Sequence, residues 1–355
     1  MTSRILLVGD HPPPNGGVAT HVAELHRAVR EQDDAECVVL DIGKGQLPAD
    51  GVVPAGGIAR FAALLASYAA RKFQIHVHTS GANPKSWVLA ALCAAAGRAA
   101  GKPAFITFHS GLGPGWLSQS SSRALVARLV GGQFGQVIAV SDEIQQALTS
   151  CGVQGVQVIP AEPAFLRPGT PPVGLPELRR EAAPLFCAMV APGKVYAHDI
   201  LLEAFAAVLA KHPRARLAVY GPGSESLRAP GVHAFGELHR DAALSLIAAS
   251  DVFVRPTLAD GDSVSVREAL ALGRSVVATR VGNRPGDVLL VEPGDAIALS
   301  LGMLAAAAKP VRAVVPASGE SLQRVLQLYG FQSKPAEAAP AARAPEAPCA
   351  ASAAS

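Results

Sequence analysis

Two carboxylates, Asp260 and Glu268, stand with seven residues between them in LADGDSVSVREALALGRSVVAT, Leu258 to Thr279. A Gly-Asp-Ser turn, Gly261, Asp262 and Ser263, follows the first acid, and Val264 opens a smooth apolar helical run. Glu268 sits about one turn into that run. Helix starts of this kind leave backbone N–H groups unpaired and carry the positive end of the helix dipole, so they hold phosphate. Ser263 or Asp262 also fits an ordinary N-cap. Capping does not account for Glu268, a lone acid on an otherwise apolar helix.

The elements that would position these residues alternate regularly along the chain. RILLV (4–8), CVVL (37–40), QIHVHT (74–79), AFITF (104–108), QVIAV (136–140) and VQVIP (156–160) read as strands, separated by helical segments from Gly17, Ile58, Pro84, Ser120 and Asp142. After a proline-rich link, PAEPAFLRPGTPPVGLPEL, the pattern restarts with LFCAMV, RLAVYG, VHAFG, VFVRP, SVVAT and DVLLV. Alternation of this kind predicts an α/β fold of two doubly wound, Rossmann-like domains facing a central cleft. The first is expected over 1–165 and the second over 166–315, with a helix at 316–332 crossing back to the first domain. The Ala/Pro-rich segment 333–355 has no apolar period and is expected to be a disordered tail. In open parallel sheets, ligands bind beyond the carboxyl ends of the strands, which is where the Asp260–Ser263 loop falls.

Composition limits the function. The chain has 355 residues, enough for two cores, and a formal charge of +3 with scattered Lys and Arg, which predicts no nucleic-acid partner. Its five cysteines show no C-x-x-C spacing and fit a reducing compartment. The opening MTSRILLVGDHPPPNGG has too short an apolar run for a secretory leader, and WVLAALCAAAG falls short of the roughly 18 residues that cross a bilayer. A cytoplasmic location is expected, at the inner face of a membrane.

The segment DVFVRPTLADGDSVSVREALALGRSVVATRVG resembles the acidic-x7-glutamate motif of retaining glycosyltransferases of family 4, which have the GT-B fold; REALALGRSVVAT matches its second half closely. The first acid is Asp260 where the family typically has Glu. PPPNGGVATHVAEL, with Gly16 and Gly17, resembles the family's N-terminal glycine loop, which faces the donor phosphates or the acceptor. VIAVSDEIQQAL and HDILLEAFAAVLAKHPRARLAVYGPG resemble further family segments in the expected order, so the resemblance spans Ile5 to about Leu328. It implies transfer of a sugar, with retention, from a nucleotide-diphosphate sugar to a glycan or lipid-linked acceptor, in polysaccharide or glycoconjugate assembly. Such a sugar leaves through an oxocarbenium-like state while charge grows on the phosphate, so a helix N-terminus and cations lower the barrier. Glu268 would accept from the ribose hydroxyls, Asp260 and the 261–264 amides would hold the sugar and diphosphate, and His109 of TFHSG would hydrogen-bond the donor sugar.

The family's Arg and Lys that neutralise the diphosphate are replaced here by Ala191 and Tyr196 in MVAPGKVYAHDILLEAF. Lys194, with Arg255 or Arg267, is expected to take over. No metal and no cofactor is expected, because His76, His78 and His109 have no carboxylate or cysteine at ligand spacing. A peripheral contact with a membrane surface accompanies the lipid-linked acceptor. The alternatives are a nucleotide-sugar epimerase of the same fold, which would change the sugar with no acceptor present, and a degenerate donor-binding subunit, which would bind nucleotide without transfer.

Overall fold

The computed structural model describes residues 3–45, 47–309, 313–314 and 318–332, so the tail expected from Ser333 lies outside the described residues. The first half contains β1 (Ser3–Gly9), α1 (Gly17–Arg30), β2 (Ala35–Asp41), β3 (Val52–Pro54), α2 (Ile58–Ala70), β4 (Gln74–Thr79), α3 (Pro84–Ala99), β5 (Phe105–Phe108), α4 (Leu112–Ser118), α5 (Ser121–Gly131), β6 (Gln136–Ala139), α6 (Asp142–Ser150) and β7 (Val156–Val158). Its strands form one parallel sheet in the order β3-β2-β1-β4-β5-β6-β7. The strand runs are apolar almost throughout because both sheet faces are covered. Phe61, Leu65, Trp87, Leu117, Ala127 and Ile144 bring α2 to α6 against one face. On the other face lie Val22, Leu25 and Val29 of α1.

The second half contains α7 (Leu175–Glu181), β8 (Leu185–Met189), a 3-10 turn (Lys194–Tyr196), α8 (His198–Lys211), β9 (Arg216–Tyr220), β10 (Val232–Ala234), α9 (Arg240–Ala249), β11 (Val252–Arg255), α10 (Val264–Ala271), β12 (Ser275–Thr279), β13 (Leu289–Val291) and α11 (Ala296–Ala307). Its parallel sheet has the order β10-β9-β8-β11-β12-β13. Helices α7, α9 and α10 cover one face and α8 and α11 the other. The last helix, α12 (Glu320–Leu328), puts Leu322, Val325 and Leu326 into the same cluster as Val22 and Leu25 of the first domain. The two doubly wound domains read from the sequence are therefore present.

Three elements escape the periodicity. Strand β3 is a three-residue sheet edge, α7 lies inside the proline-rich link, and α4 is written LGPGWLS, with a helix-poor Pro and two Gly. Tertiary packing decides each: Leu175 and Leu178 are buried under the second sheet, and Trp116 stacks on Trp87 at 6.2 Å.

Strand order reverses between β1 and β4 in the first sheet and between β8 and β11 in the second. Each reversal opens a crevice where neighbouring connections leave to opposite faces. The two crevices face each other.

Candidate active site

A cavity of about 310 Å³ occupies this junction and takes its walls from both domains. Asn15 to Val18 and Ser80, beyond β1 and β4, line one side; Met189, Arg255 and the loop from Asp260 to Ser265, beyond β8 and β11, line the other. Two helices point their N-termini into it. Helix α10 is capped by Ser263, whose hydroxyl accepts from the Val266 amide at 3.4 Å. Helix α1 starts at Gly16, which offers no side-chain cap, and neither first turn carries an acid. Free backbone donors and two positive dipole ends therefore converge on one space.

Asp260 and Glu268 both line the cavity, each held by arginine. The Asp260 carboxylate accepts from Arg255 Nε at 3.0 Å and Arg284 Nη2 at 3.1 Å. Burial works against its ionisation, but the two guanidinium groups outweigh it and hold the carboxyl below its usual range. Glu268 Oε1 accepts from Arg240 Nε at 3.1 Å and Nη2 at 2.9 Å, and the same Nη2 reaches Glu24 of α1 at 2.6 Å. Burial pushes the Glu268 carboxyl up to about 7; Arg240 opposes this and Glu24 adds to it.

The cations proposed from sequence part company here. Arg255 lines the cavity, its guanidinium 5.4 Å from the ring centroid of Tyr196. Arg267 turns away to Asp262, at 2.8 Å, and to Glu162 in the link, at 3.2 Å. Asp262 also accepts from the Ala161 amide at 2.8 Å, so these two residues fasten the domains together although the Asp262 backbone borders the cavity. Lys194 is exposed in the 3-10 turn, where Val195 and Tyr196 face the cavity instead. Arg240 went unnoticed in the sequence, as did Arg284 and Glu24. Arg240 is the first residue of α9, and nothing in the sequence sets it apart from a solvated arginine at a helix start.

His109 lines the cavity and its Nε2 lies 3.1 Å from Nδ1 of His78. His21 and His76 complete a cluster of four tilted and edge-on rings, in which His76 bonds Thr107 at 2.8 Å and Tyr329 of the crossing helix's C-cap. Burial lowers all four, His21 to about 4 and His76 to about 3, so they are neutral imidazoles at neutral pH. Nitrogens of His21, His78 and His109 come within 4.8 Å of one another. Three imidazole nitrogens gathered in this way are a donor set that could hold a metal ion.

The loops meet backbone to backbone. A Cβ on Gly111 would fall 1.9 Å from the Asp260 carbonyl oxygen, and one on Gly261 would fall 2.0 Å from that of His109. The Asn15 side-chain amide donates a hydrogen bond to the Leu238 carbonyl at 2.9 Å.

The family model described as Glycosyltransferase Family 4 matches residues 15–161, and the model described as Glycosyl transferases group 1 matches residues 183–308. Among solved structures, a sucrose-phosphate synthase from Thermosynechococcus elongatus is 18% identical with a TM-score of 0.64, covering 92% of this chain and 98% of its own. The Anabaena protein HepE, in complex with UDP, is 17% identical with a TM-score of 0.62, covering 92% and 95%. A trehalose-6-phosphate protein from E. coli bound with UDP-2-fluoro glucose is 15% identical with a TM-score of 0.63, covering 92% and 96%. These likenesses concern the fold. A search of the curated proteins finds no match.

Proposed function

The chain belongs to the family 4, group 1 glycosyltransferases of GT-B fold, and from that membership we propose that it transfers a sugar, with retention, from a nucleoside-diphosphate sugar to a glycan or lipid-linked acceptor. One observation carries the reading: the uncapped start of α1 and the start of α10 share a cavity with Asp260, Glu268, Arg255 and Arg240. Departure of a nucleoside diphosphate concentrates negative charge on its outer phosphate, and preorganised amides and guanidinium groups stabilise that charge as it forms. The Gly16–Gly17 and Asp262–Val264 amides supply the first kind of donor, while the Gly261 amide is held by Asp260 Oδ1 at 3.1 Å.

Arg255 and Arg240 supply the second. Each is balanced by a carboxylate in this structure, so an incoming diphosphate needs a cation set free. Glu268 provides the means, because its carboxyl is poised near neutrality and its hydrogen bonds can pass to ribose hydroxyls. Arg240, relieved of Glu268 but still paired with Glu24, then turns its Nε–H toward the phosphates. His109, neutral and tied to His78 through Nε2, keeps Nδ1 for a hydroxyl of the donor sugar. The complexes of relatives with UDP and UDP-2-fluoro glucose make UDP the first nucleotide to test.

Titration calorimetry with UDP tests the reading. Binding should weaken in Glu268→Ala by ~1.5–3 kcal/mol, the usual loss for a charged hydrogen bond. Unchanged UDP affinity, or failure of every common nucleoside diphosphate to bind, would overturn it. Proton NMR of the product's anomeric signal then reads retention directly.

A further inference from the structure

Cations are scattered along this chain, but carboxylates are not. Residues 51–141 hold eight of the 31 Lys and Arg and none of the 28 Asp and Glu, so this segment stands at +8 and the remainder, with 23 cations against 28 acids, at −5. The segment runs from the end of the β2–β3 connection to the N-cap of α6, and it includes α2, α3, α4 and α5 entire. Those four helices lie on one side of the first sheet, packed α2 on α3, α3 on α5 and α5 on α4.

Their outward surfaces are also apolar. Seven large aliphatic residues are exposed on them: Ile58, Val88, Leu92, Leu112, Leu125, Val126 and Leu129. Ile58 is 74% exposed and Leu129 57%, and among the described residues neither is covered by another element. Lys85, Arg98, Lys102 and Arg128 stand exposed among or beside them. Among the described residues, Arg71 is the only one of the eight cations in an ion pair, with Glu36. The patch ends at α6, whose first turn carries Asp142 and Glu143.

We propose that this face, α2 to α5, docks on an anionic lipid bilayer. Aliphatic residues enter the headgroup boundary while unneutralised Lys and Arg meet the lipid charge, the combination that peripheral membrane binding requires. A second copy of the chain is a poor occupant, since it would set eight cations against eight. Nucleic acid fits less well, because none of the exposed large hydrophobics is aromatic and bases need a ring to stack on. Leu112 belongs both to this face and to the cavity lining, so the docked bilayer lies beside the cleft mouth. The docking is independent of donor chemistry; only its use, delivery of a lipid-linked acceptor at Leu112, rests on the proposed function.

Flotation of the full chain with vesicles tests it. The wild type should partition into vesicles of phosphatidylcholine and phosphatidylglycerol in equal parts at least tenfold better than into phosphatidylcholine alone, and high salt should erase the difference. Lys85→Glu with Arg128→Glu should lose about fivefold per charge removed. Leu125→Ser with Leu129→Ser should lose binding at every lipid composition, whereas Lys211→Glu with Arg214→Glu, on the far domain, should behave as wild type. Melting curves and UDP calorimetry on each variant separate misfolding and failure of the donor reading from failure of docking. No partition of the folded wild type, equal partition of all variants, or binding to RNA or DNA in place of vesicles would overturn the proposal.

Discussion

At the residue scale, Glu268 and Arg240 form the coupled pair that decides the electrostatics of the cleft. The folded chain holds the Glu268 proton to about 7, against 4.5 for an unperturbed carboxyl. Between those values the unfolded chain ionises first, so the stability that Glu268 itself contributes falls as pH rises, by ~3 kcal/mol. Chemical denaturation of Glu268→Gln should lack this decline, and the difference between the two proteins across pH 4.5 to 7 measures it. Arg240→Lys keeps the charge but cannot span Glu24 and Glu268 with one planar fork. UDP affinity should drop about tenfold, ~1.4 kcal/mol. Lys194→Ala should change it by less than about threefold, because an exposed lysine is well screened. Equal losses in the two variants would return the diphosphate to Lys194. The motif around Glu268 was legible because an acid on an apolar helix is conspicuous. Arg240 was not, since an arginine at a helix start looks like any solvated residue until Glu24, 216 positions away in sequence, is folded against it.

At the element scale, the glycines at the loop contacts matter more than the helices they flank. Gly111→Ala and Gly261→Ala each place a methyl inside a backbone of the opposite domain. Neither disrupts a core, so the strain can be relieved by parting the domains. Both variants should melt near the wild-type temperature yet show a larger radius of gyration by small-angle scattering and at least about tenfold slower transfer. An unchanged radius with full activity would mean that the loops adjust locally. Sequence period located the long strands and helices, including β1, β11 and α10, since each buries an apolar face of regular spacing. It missed α4, whose glycines and proline argue against a helix. The burial of Leu117 and the Trp116–Trp87 stack outweigh that preference.

At the scale of the whole molecule, the four neutral histidines beside the cleft, buried His21, His76 and His78 and half-buried His109, set the acid limit together with His26. Their folded-state pKa values lie below the ordinary 6.5, so in the window below 6.5 the unfolded chain binds protons that the folded chain refuses. Their contribution to stability is full above 6.5 and is lost as pH falls; His21 alone, displaced to about 4, accounts for ~3 kcal/mol of that loss, and with His76 it outweighs the opposite trend at Glu268. The melting temperature should fall steeply below pH 6, and His21→Gln should make the fall shallower. A parallel slope in that variant would remove His21 from the account. Because the cluster joins α1, β4, the loop after β5 and the C-cap of α12, its protonation loosens the cavity wall and the returning helix together. Two domains were readable from the restart of the strand pattern after the link. Their interlock was not, because it is written in carbonyl oxygens and missing side chains.

A carbonyl oxygen pressed against an opposing Cα cannot slide, so the loops at Gly111 and Gly261 either touch or stand apart. Under the proposed function, exchange of spent nucleotide for fresh donor is then a discrete event with a waiting time of its own, and such openings set the turnover of many enzymes. Solvent thickened with sucrose would lengthen that wait and lower kcat without altering the bond-breaking step. The smallest residues in the cleft would thereby keep time for the largest motion.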